Sequence, residues 1–222
     1  MKKPKLLFLF FITIIFTMSG LFANSADKGT KIKNKILNFS SEKIDAVMST
    51  EWKLSGQYLE KYENNSTLIK NPNLKLYKPN FSTDILSDTT FDPTGDMIEI
   101  YLKNNVYINR TDSSNVSILK LYTSYAIFYL SKDLVETDRN VTIITSDSIT
   151  TGNGLSANLE SGLIEILSNA ERKIREGDDT RIIKGNQMIY NTKTKKWIVK
   201  NQSALKLKNS ITKKVKSTFS LD

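Results

Sequence analysis

From about residue 40 onward the chain alternates apolar and polar residues over short stretches separated by turn residues, and a period of two leaves little room for anything but half-buried β-strands. The stretches are Glu51–Lys61, with Trp52 and Leu54, then Thr67–Tyr77, Met97–Leu102, Val106–Ile108, Val116–Leu121, Ala126–Leu130, Val141–Ile144, Gly154–Leu159 and Leu163–Leu167. Between them lie Asn64-Asn65, Asn71-Pro72, Lys78-Pro79-Asn80, Asp92-Pro93-Thr94-Gly95, Asp138-Arg139-Asn140 and Gly152-Asn153-Gly154, which all supply turn chemistry. Helical periodicity is scarce. The spacing predicts an all-β sandwich, barrel or β-roll. Residues Thr180–Leu207 repeat the strand-turn-strand unit once more, with Met188, Tyr190, Trp197 and Val199 apolar. A unit recurring about every 20 to 25 residues suggests stacked strands whose end edges stay open to strands of another chain.

The N-terminus sets a second constraint. Lys2, Lys3 and Lys5 precede Leu6–Ala23, a run without one charge. As a helix this run would be about 27 Å long, close to the hydrocarbon thickness of a bilayer and longer than most signal-peptide cores. Length favours a retained anchor. Small residues around Leu21–Ala23 and Asn24–Ala26 leave cleavage as the competing reading, and Lys28, Lys31, Lys33 and Lys35 beyond the run keep the positive-inside rule from deciding. Either way the remainder is exported.

Composition narrows the chemistry. The chain has neither cysteine nor histidine, which excludes disulfides, thiol catalysis, a Ser-His-Asp site and Cys or His metal ligation. The net charge of +9 is unevenly spread: +6 over residues 1–39, −6 over 40–170 and +9 over 171–222. A mildly acidic middle between basic ends does not make a nucleic-acid groove; it suits ends lying near anionic headgroups or an acidic partner, or simply a solvated lysine-rich tail. Glu51, Glu60, Glu160 and Glu165 read as outward partners of lysines rather than as a glycosidase pair. No enzyme activity and no cofactor are expected.

Two blocks carry a family resemblance. Glu51–Tyr62 (EWKLSGQYLEKY) with Ser66–Tyr77 (STLIKNPNLKLY), and Val135–Ile143 (VETDRNVTI) with Thr151–Asn169 (TGNGLSANLESGLIEILSN), resemble the opening and closing strands of the LptC family of lipopolysaccharide export proteins. Together they span residues 40–175. The chain departs from the family at Met48-Ser49, where a glycine is usual, and at Asn104-Asn105-Val106, where the family has a Gly-Asn-Val turn. It also has an insertion around Asp84–Gly95 and an extra unit after residue 177, which resembles a repeat of the related bridge protein LptA.

The resemblance implies an open, twisted β-jellyroll, an LptA/LptC-like β-roll, preceded by one transmembrane helix. Residues 1–5 would be cytoplasmic, 6–23 the anchor, 24–39 a linker, 40–175 the periplasmic roll and 176–222 an added repeat with a basic tail. It implies lipopolysaccharide as cargo, received from an LptBFG-like inner-membrane transporter through LptF/LptG-like subunits and passed to an LptA-like bridge at the C-terminal edge. Phe39, Ile69 and Ile164 match lipid-contacting positions, Trp52, Leu54 and Ile166 are inward neighbours by alternation, and Gly154 is a turn glycine with a backbone role. The same six side chains would be ordinary core in a closed sandwich. A soluble LptA-like bridge, or a β-repeat scaffold or adhesin without lipid cargo, is the alternative.

Overall fold

The computed structural model describes residues 31–206 except 46, 47 and 178. The expected anchor, the residues before it and the tail beyond residue 206 lie outside the described residues. Thirteen strands follow in order: β1 (Ile32–Ile44), β2 (Thr50–Tyr62), β3 (Thr67–Lys70), β4 (Asn73–Lys78), β5 (Phe81–Leu86), β6 (Thr89–Asp92), β7 (Glu99–Asp112), β8 (Ser117–Tyr129), β9 (Leu134–Ile144), β10 (Ser148–Asn158), β11 (Leu163–Glu176), β12 (Asp179–Asn191) and β13 (Lys196–Lys206). One 3-10 turn, Leu130–Lys132, is the only helical element among the described residues.

All strands belong to one antiparallel sheet. From β7 to β13 each strand pairs with the next, as short turns demand. Toward the N-terminus two lanes of short strands separate β7 from β2. In one lane β4 pairs with β5, in the other β3 pairs with β6, and each lane covers half the length of β2 and β7. β1 lies along the outer side of β2. Each terminal strand, β1 and β13, keeps one edge unpaired among the described residues, so the sheet does not close into a barrel.

A flat sheet this wide would bury neither face. The strands are instead bent along one common row of residues. Asn38, Asn71, Asn104, Asn105, Gly154 and Asn169 all have positive φ, between 46° and 71°, and all lie on that row. Asparagine tolerates the left-handed region better than other residues with a Cβ, and glycine is free to adopt it. Register shifts accompany the row in the pairings of β7–β8, β8–β9, β9–β10, β10–β11 and β11–β12. In β8, for example, the inward set passes from Leu119, Leu121 and Thr123 to Ala126 and Phe128, so the parity change at the bulge keeps apolar residues inside. Glycine also gives the fold row room: a Cβ on Gly152 would stand 2.3 Å from Ile166 Cγ2 and 2.9 Å from the Ser168 carbonyl oxygen.

The bend produces two layers that face each other over a single core. Layer one holds β4, β5 and the half of each long strand from Val106 to Asp112 and its equivalents; layer two holds β3, β6 and the opposite halves. Phe128, Val135, Ile143, Ile166 and Met188 are wholly buried between the layers. Each such side chain contributes about 1.5–3 kcal/mol by leaving water.

Two sequence expectations change. Residues 32–39, which the resemblance placed in a linker, are strand: Ile32–Ile44 is a largely exposed edge, and lysines such as Lys33 and Lys35 are what a solvated edge strand carries. Asn104-Asn105, Asp138-Arg139-Asn140 and Gly152-Asn153-Gly154, read as turns, lie inside β7, β9 and β10, where they form bends. The unit after residue 175 extends the same sheet, since β12 pairs with β11 from Leu163↔Asn191 to Glu176↔Asp179.

Candidate functional site: the interior of the roll and its seam

The inner faces of the two layers form one continuous apolar surface from β2 to β13. Leu54, Ile69, Ile164 and Ile166 are buried on it, and Phe39 and Trp52 pack against it while partly exposed. Phe39 and Ile69 meet over Gly56, where an added Cβ would lie 2.8 Å from one and 2.9 Å from the other. Leu54 and Ile69 also line a void shared with Pro72, Leu74, Ile85 and Leu102. At about 10 Å³ that void holds roughly one water. Ile164 and Ile166 stand far along the stack, paired with Ala157 and Leu155 on one side and with Tyr190 and Met188 on the other. The predicted residues thus share a surface but form two groups. Gly154 lies within β10 at φ 71°, with Leu167 side-chain carbons 3.2 Å from where its Cβ would be. Glu51, Glu60 and Glu165 pair with Lys43, Lys35 and Lys200 at 2.6, 2.6 and 3.3 Å.

Opposite the fold row, the turns of the two layers meet along a seam, and the contacts there are polar. Lys78 of layer one reaches Asp133 of layer two at 3.0 Å. Arg110, at the inward parity of Val106 and Ile108, donates from Nη1 to the Leu159 carbonyl oxygen at 2.5 Å, and its guanidinium lies 3.5 Å over the Phe81 ring. Further along, Arg172 lies 5.1 Å over the Trp197 ring, which stacks on Tyr190 with centroids 4.7 Å apart. Arg172 also donates to Asp147 at 2.7 Å and to the Ser148 hydroxyl at 3.0 Å.

Burial shapes the charges. It pushes the Arg110 guanidinium down to about 10, which still leaves it protonated at neutral pH. Burial also lowers Arg172, outweighing the opposing pull of Asp147. Burial would raise Asp147, but hydrogen bonds from Thr145, the charge of Arg172 and a hydrogen bond from Ser148 together hold it below the usual carboxylate range. The sequence analysis missed both arginines. The available signal was parity: Arg110 continues Val106 and Ile108, and Arg172 continues Ala170, by steps of two.

A single bent sheet with an apolar lumen, free edges and polar contacts along one seam defines a β-roll of the jellyroll-like class. The family described as Lipopolysaccharide-assembly, LptC-related matches residues 6–175, most of the chain. This chain belongs to the LptC family, which places it in lipopolysaccharide transport. The match ends before β12, so the last hairpin lies outside it. No curated protein matches the chain.

Proposed function

We propose that this protein is a lipopolysaccharide carrier of the periplasm, anchored in the inner membrane by residues 6–23, and that its roll holds the acyl chains between its two layers. The observation that carries this reading is the unbroken inward apolar surface of a sheet that, among the described residues, does not close on itself. Such a surface can exchange its own packing for lipid tails, each buried CH₂ contributing about 0.8 kcal/mol. The lumen of the lipid-free protein is filled by side chains, so loading requires the layers to part. At the fold row the two layers are joined covalently, because the long strands run through the bend from one layer into the other, whereas polar side-chain contacts hold the seam; the roll therefore opens at the seam and hinges at the row. The family match beginning at residue 6, the first residue of the uncharged run, supports a retained anchor.

The free edge of β1 would meet the transporter subunits and that of β13 the LptA-like bridge, so that cargo passes along a continued sheet. Photocrosslinker at Ile69 or Ile164 should capture lipopolysaccharide in cells, while the same probe at Lys70 or Glu165, on the opposite face of the same strands, should not. Equal capture at all four positions, or none at any, would overturn the carrier reading.

A further inference from the structure

Five buried side-chain polar atoms among the described residues have no hydrogen-bond partner, and they fall into two clusters, each centred on a buried arginine. The first comprises Arg110 Nε, Thr83 Oγ1 and Thr192 Oγ1. Thr83 is the direct cross-strand partner of Arg110 in layer one. Thr192 belongs to layer two, where its amide donates to the Gly162 carbonyl oxygen at 2.9 Å. The Thr192 hydroxyl and Arg110 Nη2 lie 2.2 and 3.6 Å from the point where a Cβ on Gly162 would stand, so they flank one spot at the seam. The second cluster comprises Thr150 Oγ1, directly opposite Arg172, and Trp197 Nε1 in the ring beneath it.

The clusters differ in one respect. Arg172 has Asp147 as counter-ion. Arg110 is 3% exposed, and among the described residues no carboxylate lies within ion-pair distance of it, burial being the one influence on its charge. A buried, protonated guanidinium without an anion is costly, and two idle hydroxyl donors beside it deepen the cost. A guanidinium and a hydroxyl that flank one spot, with a second unpartnered hydroxyl on the strand partner of the arginine, are donors that a phosphate monoester can use, since its oxygens accept several charge-assisted bonds at once.

We propose that Arg110, Thr83 and Thr192 form a phosphate-binding subsite at the seam, which takes a phosphoryl group on the headgroup of the amphiphile whose chains enter the roll. The inference rests on the carrier reading above. Its members are divided between the layers, so parting the layers for acyl chains widens this spot, and the incoming phosphate replaces the contact of Arg110 with the Leu159 carbonyl. The headgroup then stays at the mouth while the chains lie inside. Arg172, already neutralised by Asp147, takes no part.

The test uses the full chain in amphipol and two probes, a bisphosphorylated lipid A and the same lipid with its phosphates removed. Wild type should bind the phosphorylated probe at least about tenfold more tightly, the scale of one charge-assisted hydrogen bond. Arg110→Gln should bring the two affinities together. Thr83→Val combined with Thr192→Val should weaken the preference several-fold without loss of thermal stability, because neither hydroxyl has a partner to lose; a purely structural role for the cluster forecasts no change in preference. Arg172→Gln should leave the preference intact. Inorganic phosphate that raises the melting temperature of lipid-free wild type but not of Arg110→Gln, while wild type shows no preference between the two lipids, would make this a free-phosphate site and overturn the headgroup assignment. Equal binding of both lipids by wild type would defeat the subsite alone, whereas binding of neither would defeat the carrier reading beneath it.

Discussion

Lys78, at the end of β4, and Asp133, in the turn before β9, lie fifty-five residues apart in sequence and 3.0 Å apart in space, and their ion pair joins the two layers across the seam. Both groups are partly exposed, so the pair contributes less than about 1 kcal/mol to stability. Its position matters more than its strength. Lys78→Met should shift the urea midpoint only slightly while raising the yield of lipid captured by a photocrosslinker at Ile69, because one contact that opposes opening is gone. A large stability loss with unchanged capture would show that the seam does not open there.

The fold row makes a separate forecast. Gly152→Val would drive a side chain into Ile166 Cγ2 and the Ser168 carbonyl, both nearer than 3 Å to its Cβ. Overpacking of this kind costs about 1–3 kcal/mol, and here backbone must move as well as side chain. Gly177, with nothing within 4 Å, is the control: an alanine there meets only the strain of its left-handed φ of 65°, about 1 kcal/mol. Urea titration should rank Gly152→Val well below Gly177→Ala.

These two sites show what was readable in the sequence and what was not. Alternation reports which face of a strand is apolar, and it placed Leu54 and Ile166 inward, where the structure buries them beside the Ile69 and Ile164 that the resemblance supplied, while Trp52 is only partly buried. It does not report whether a polar interruption ends a strand or bends it. Asn104-Asn105 and Gly152-Asn153-Gly154 look like hairpin turns because the left-handed region serves both purposes; only the neighbouring strands, bent at the same row, distinguish the two. Pairing across that row spans the whole sheet, and no short window contains it. The seam was hidden for a different reason. A lone arginine in a strand reads as an outward residue, and the burial of Arg110 depends on Leu159 and Phe81, which lie far from it in the chain.

The last hairpin offers a third prediction. It lies beyond the matched family region, yet Met188 and Tyr190 of β12 and Trp197 and Val199 of β13 belong to the common core. A chain ending at Gly177 would expose Ile164 and Ile166 and leave β11 as an unprotected edge fourteen residues long. An edge of that length with apolar neighbours is a template for pairing with other chains. The shortened chain should therefore associate, visible as a concentration-dependent sedimentation coefficient, while the full chain at the same concentration should not gain mass through β11.

Acid should act on the roll through a few carboxylates. Lys184, with help from Lys173, holds Glu171 below its ordinary range against the opposing effect of burial, and Asp147 is held down by Thr145, Arg172 and Ser148 in the same way. A carboxylate whose folded pKa is depressed contributes stability that is fully present above its unfolded pKa, about 4, and is lost as the pH falls through the folded value. Both groups are substantially exposed, so each effect is discounted for screening. Of the two, Asp147 matters more, because its partner Arg172 is buried: protonating Asp147 leaves that cation with only the Ser148 hydroxyl and the Trp197 ring. Asp147→Asn should therefore lower the melting temperature at pH 7, and that deficit should shrink as the pH falls from about 4 through the depressed folded value, below which the wild-type carboxyl is neutral too. Melting curves of the two proteins from pH 7 to pH 2 give the comparison, and a deficit that persists unchanged at pH 2 would mean that Asp147 acts through its shape and hydrogen bonds rather than through its charge on Arg172.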